Sequence, residues 1–150
     1  MIAMNYLDKQ YATKNVLRDY RRMERVIEIT PDEIKAAYEA MVNPRTPTLS
    51  QTPAAHNPLA GENRLAAAID DADILRERYR AAVEYMEWFE PAWQALTDEE
   101  RLVLTEFYMM GSFRSGANRR LREKYDYSER SIERLRSNAF DAITALLYGR

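Results

Sequence analysis

The sequence predicts an all-α fold: an N-terminal long-helix segment, hairpin or coiled-coil-like, followed by a C-terminal helix-turn-helix bundle. Three observations carry this. Ala, Leu, Arg and Glu dominate and only 4 of 150 residues are Gly, which favours helices over strands. Residues 65–96 hold an unbroken apolar seven-residue repeat. Residues 97–147 carry two helix-start signals, separated by a Gly stop and a short polar turn.

Residues 1–42 read as N-terminal helices. A first helix is expected over 4–29, where Tyr6, Thr13, Tyr20 and Ile27 recur every seven residues with Val16 and Met23 between them. Thr30, Pro31 and Glu33 then match an N-cap, a first helical position and a capping box. They predict a second, short helix to about Met41. Residues 43–61 form a loop or linker, because Pro44, Pro47, Pro53 and Pro58 forbid a continuous helix.

Residues 62–96 form the long heptad helix. Leu65, Ala72, Tyr79, Met86 and Trp93 occupy one seam position; Ala68, Leu75, Ala82, Phe89 and Leu96 occupy the other. The seam packs on the N-terminal helices or on a second copy of the chain, as a homodimer. Ile69 and Val83 broaden it, which favours the pairing within one chain. Pro91 is expected to break or kink this helix.

Residues 97–150 form the last domain. Thr97 and Glu100 make a capping box, Val103 and Phe107 face a core, and Gly111 stops the helix. A second helix is expected over about 115–125, with Leu121 and Tyr125 one turn apart. Asp126 takes the left-handed turn position, and Ser128 caps the final helix. Along that helix Ile132, Leu135, Ala139, Ile143, Leu146 and Leu147 make one apolar stripe. At about 100° per residue, Arg130 and Arg134 fall opposite Ile132, and Ser131 and Asn138 fall on the flanks. Arg136 falls beside the core and is expected to snorkel there. An ordinary charged surface helix would show the same Arg and Glu alternation, and periodicity does not separate the two.

Charge sharpens the question. The chain has a net charge of −2. Residues 62–96 hold 4 Lys/Arg against 8 Asp/Glu, and residues 111–140 hold 8 against 4. The basic end suits a nucleic-acid face, and a solvated face that leans positive would give the same count. There Arg130, Ser131 and Arg134 are the candidates for reading bases. Arg114, Arg119, Arg120, Lys124, Ser128 and Asn138 are the candidates for phosphate. Val103, Leu121, Tyr125, Ile132, Leu135 and Ala139 are the expected helix-turn-helix core.

Other chemistry finds little to stand on. The absence of Cys excludes disulfides, Cys-ligated zinc and thiol nucleophiles. The single His56 lies in the proline-rich segment without partners at ligand spacing, so no metal is expected. There is no Gly-rich phosphate loop, and Asp70, Asp71 and Asp73 read as a solvated face. Neither an enzyme nor a cofactor is expected. No apolar run approaches the roughly 18–20 residues of a membrane span, and the N-terminus lacks a signal-peptide pattern. These point to a cytoplasmic protein of a bacterial cell, with no membrane partner.

The order of residues adds a resemblance. LTDEERLVLTEFYMMG, through Leu96, Glu100, Arg101, Val103, Leu104, Tyr108 and Gly111, resembles the first helix of the sigma-70 region-four helix-turn-helix. LREKYDYSERSI is similar to the turn that follows, at Leu121, Tyr125, Tyr127, Ser128 and Ile132, with the small Ala139 seven residues on. Arg122 and Asp126 stand where that family usually has Ala and Gly. The layout of the whole chain resembles phage and prophage ArpU-like late transcription regulators and related uncharacterised phage proteins. The resemblance implies a phage-encoded regulator that binds duplex DNA and acts with host RNA polymerase. Two alternatives stand beside it: a DNA-packaging protein like a small terminase subunit, and an interaction protein that docks on polymerase or a sigma factor without reading DNA.

Overall fold

The structure, a computed structural model, describes residues 8–42, 59–111 and 115–149. Tyr6, His56, Arg114 and the four prolines at 44, 47, 53 and 58 lie outside the described residues, as does the expected helix start at residue 4. Among the described residues the elements are α1 (Lys9–Val42), α2 (Ala60–Gln94), α3 (Asp98–Leu104) with a π-helical turn after it (Thr105–Met109), α4 (Ala117–Tyr125) and α5 (Glu129–Tyr148). No strand occurs among them, and the fold is all-α as the composition predicts. No helix among them is long and apolar enough to cross a membrane.

The two expected N-terminal helices are one. Asp8 accepts from the Tyr11 N–H at 3.1 Å and so starts α1, which then runs through Pro31 to Val42. Pro31 lacks the N–H that would reach back to the carbonyl of Ile27. The helix continues regardless, because its inward stripe continues: Ile27, Thr30, Ile34 and Ala37 are all buried or half-buried at helical spacing. Thr30 is therefore not a cap. It is fully buried, and its hydroxyl accepts from Arg78 at 3.3 Å.

The helix break expected at Pro91 does not occur. The proline sits on the exposed side of α2, while Phe89, Ala92 and Trp93 around it are buried, so the helix passes through it to Gln94. In both places the local cost of proline is offset by burial on either side. A buried Leu or Phe stabilises by roughly 1.5–3 kcal/mol.

By its contacts the chain forms two units: the described part of Met1–Glu24 with Glu84–Arg150, and Arg25–Val83. α1 and α2 contribute to both. In Arg25–Val83 the two helices run antiparallel, since Thr30 meets Arg78 while Met41 and Leu65 line one cleft. Arg78 also pairs with Glu33, and Arg76 stacks 4.9 Å over the Tyr38 ring. Of the heptad seam here, Ala68, Ala72, Leu75, Tyr79 and Ala82 face inward. Leu65 is half exposed, so the inward seam begins one step later than its repeat suggests.

The other unit is built around a ladder of rings. Tyr20 lies 5.3 Å from Phe89 and 6.0 Å from Trp93, and Tyr85 stacks on Phe89 at 5.5 Å. The Tyr85 hydroxyl donates to the Val16 carbonyl at 2.6 Å. Leu17, Leu96, Leu104, Ile143 and Leu147 complete this core. Thr144 on α5 donates to the buried Thr13 on α1 at 3.0 Å, which pins the last helix to the first.

Candidate nucleic-acid interface

Local chemistry builds α3–α5 much as the sequence predicts. Thr97 accepts from the Glu100 N–H at 3.2 Å while Glu100 accepts from the Thr97 N–H at 2.9 Å, a complete capping box. Three acidic residues in the first turn suit the positive end of the helix dipole. Gly111 ends the segment with a φ of 59°.

After α4, Asp126 adopts φ 56° and ψ 37° and its N–H donates to the Arg122 carbonyl at 2.9 Å. It is the one described non-glycine residue in this left-handed region. The side chain of Ser128 then accepts from the Ser131 N–H at 3.2 Å and starts α5. Tyr125 and Tyr127 stack across the turn at 5.6 Å.

A small apolar cluster holds the helices together. Val103, Leu121 and Ile132 are its buried centre, and Leu102, Phe107, Tyr125 and Leu135 close around it. Ala139 is fully buried too, but in the larger core with Phe140 and Ile143. These six expected core positions, Val103, Leu121, Tyr125, Ile132, Leu135 and Ala139, therefore span two clusters.

The outward side of α5 carries Arg130, Ser131, Arg134 and Asn138, all exposed. Arg136 is half-buried, lies 4.9 Å over the Phe107 ring and pairs with Glu133 at 3.2 Å. Glu133 also accepts from Asn118 on α4 at 3.2 Å, so its charge is largely engaged.

The remaining cations divide by partner. Arg119 pairs with Glu123 at 3.1 Å, Arg120 with Glu106 at 2.8 Å, and Lys124 lies 5.9 Å over the Tyr125 ring. Ser128 Oγ bonds Ser131 Oγ at 2.9 Å, so the two hydroxyls act as a pair. By contrast, Arg122, Arg130 and Arg134 make no ion pair among the described residues. Their charge is available to an outside partner.

Sequence reasoning did not single out Arg122 as a contact; it stood only as a departure from a pattern. It also missed Glu99 and Tyr127. These line a cleft of about 300 Å³ with Ser131, Arg134, Leu135 and Asn138, along one flank of α5. Hydrogen bonding to Glu99 pushes the Tyr127 hydroxyl above the ordinary tyrosine range. No spacing in the sequence links residues 99 and 127; only the docking of α3 against the turn does.

Among the described residues no three His, Asp or Glu side chains converge on a metal position. No family model, no curated protein and no solved structure matches the chain.

Proposed function

We propose that this chain is a phage-type transcription regulator, a binding protein rather than an enzyme, whose α4–α5 pair reads duplex DNA and which acts with RNA polymerase in the cytoplasm of a bacterial host. One observation carries the proposal. Arg130 and Arg134, one turn apart on the outward side of a capped helix, are exposed and have no ion-pair partner among the described residues, while most described arginines around them are committed to carboxylates. An arginine in that state can donate two hydrogen bonds to guanine O6 and N7 in the major groove.

In this reading Arg130, Ser131 and Arg134 contact bases. Arg114, Lys124, Ser128 and Asn138 serve the sugar-phosphate backbone, which fixes register without reading sequence; Arg119 joins them by exchanging its exposed pair with Glu123, and Arg120 stays with the shielded Glu106. Self-association, expected through the heptad helix, would use the apolar residues that helix leaves outside: Leu65, Ile69 and Ile74 are all exposed.

The test is Arg134→Ala against a selected cognate duplex. A bidentate contact is worth about 1–3 kcal/mol, so affinity for that duplex falls roughly five- to 150-fold. Binding to mixed-sequence DNA falls much less, and the melting temperature does not move. Equal losses of affinity for both duplexes would reject base reading by this residue.

A further inference from the structure

Lys14, Arg18 and Arg21 follow one another at helical spacing along α1, exposed, in the same unit as α5. Lys14 and Arg18 make no ion pair among the described residues, and Arg21 reaches Met110 Sδ at 3.5 Å. Lys14 and Arg18 line a cleft of about 280 Å³ with Phe107 and Tyr108. Lys14 and Tyr108 also line a second cleft, of about 200 Å³, whose far wall is α5 at Arg136, Ser137 and Asp141. Sharing Lys14 and Tyr108, the clefts adjoin and make one groove, which runs along α1 past the π-helical turn to α5.

The side of α5 on which this groove lies is informative. At about 100° per residue, Arg136, Ser137 and Asp141 span one flank of the helix, up to the outward Arg130 and Arg134. The cleft of Glu99 and Tyr127 lies on the other flank, through Ser131, Leu135 and Asn138. A helix about 10–12 Å across nearly fills a major groove about 12 Å wide. Its two flanks therefore meet the two phosphate backbones. On the α1 flank Glu133 balances Arg136, Glu129 lies on the same side in the first turn of α5, and Asp141 is the one carboxylate among the described residues that line the groove. Within the groove itself Lys14 and Arg18 outnumber Asp141. The opposite cleft is lined by one carboxylate, Glu99, and one guanidinium, Arg134.

We propose that Lys14 and Arg18, with Arg21 beyond them, bind the phosphates of the DNA strand that passes the α1 flank of α5. The first helix is thus part of the DNA-binding surface as well as a packing element. Lys14 supplies a point charge and Arg18 a planar fork that matches a phosphate. This inference rests on the duplex-DNA reading above and extends it to a helix outside the helix-turn-helix.

The experiment is a fluorescence-anisotropy titration of the full chain with a labelled mixed-sequence duplex across a salt series. It compares wild type, Lys14→Ala/Arg18→Ala, the charge-keeping Lys14→Arg/Arg18→Lys, and a control with the same charge loss in the other unit, Lys35→Ala/Arg64→Ala. Removing two phosphate contacts lowers the slope of log affinity against log salt by about two and weakens low-salt binding on the order of ten-fold or more. The charge-keeping variant and the control retain the wild-type slope, and all four melt together. Wild-type binding with an unchanged slope in Lys14→Ala/Arg18→Ala overturns this inference and leaves the DNA reading standing. Absence of wild-type binding at low salt overturns both.

Discussion

Arg120 Nε donates to Glu106 Oε2 at 2.8 Å, tying α4 to the π-helical turn that follows α3. The Glu106 side chain is 18% exposed and Arg120 40%, so the pair is partly shielded from water. Removing the arginine leaves a poorly solvated carboxylate without its partner.

Arg120→Ala is therefore a stability mutation first. It should lower the unfolding free energy by roughly 1–2 kcal/mol, less than for a fully buried pair because water reaches Arg120. Denaturant unfolding measures this. Arg134→Ala, exposed and unpaired, should leave the same transition unmoved.

Asp126 holds a left-handed turn that glycine adopts without strain. Asp126→Gly should stabilise the fold by about 0.5–1 kcal/mol, and Asp126→Val should destabilise it by roughly 1–2 kcal/mol. Thermal melts of the two variants should bracket wild type. A glycine variant less stable than wild type would show that the aspartate side chain contributes more than its backbone costs.

Burial pushes the hydroxyls of Tyr20, Tyr85, Tyr108 and Tyr148 above the ordinary value of 10.0. Tyr85 is shifted furthest; burial is the main cause, and the Asp19 and Tyr20 charges add to it. A raised tyrosine keeps its proton in the folded chain after the unfolded chain has lost it. Stability is therefore full below about pH 10 and falls as pH rises beyond it. Tyr85→Phe should lose about 0.5–1.5 kcal/mol at neutral pH, with the bond to Val16, and show a shallower alkaline decline. Urea titrations from neutral pH to above pH 10 read both effects.

What was legible in the sequence was whatever depends on neighbours in the chain. The Thr97 box, the Gly111 stop, the left-handed Asp126 and the Ser128 cap each need only a few consecutive residues, and each stands as expected. The rotation of α5 also followed from spacing, down to Arg136 at the core edge. Thr30 and Pro31 misled because the same local signal is overruled by a buried stripe that extends on both sides of it. Which arginines are free could not be read from spacing, since Glu106, fourteen residues away, decides it for Arg120. The basic residues of α1 carried no signal of proximity to α5; the Thr13–Thr144 contact that brings the helices together spans 131 residues.

In the DNA-binding reading proposed above, α5 presents uncommitted arginines to duplex DNA. The decisive measurement is a salt titration of wild-type binding to a labelled duplex. Binding at low salt should have a logarithm that falls steeply and linearly with the logarithm of salt concentration, with a loss of cognate affinity in Arg134→Ala. A flat salt response, or no binding to any duplex at low salt from a folded chain, would contradict it.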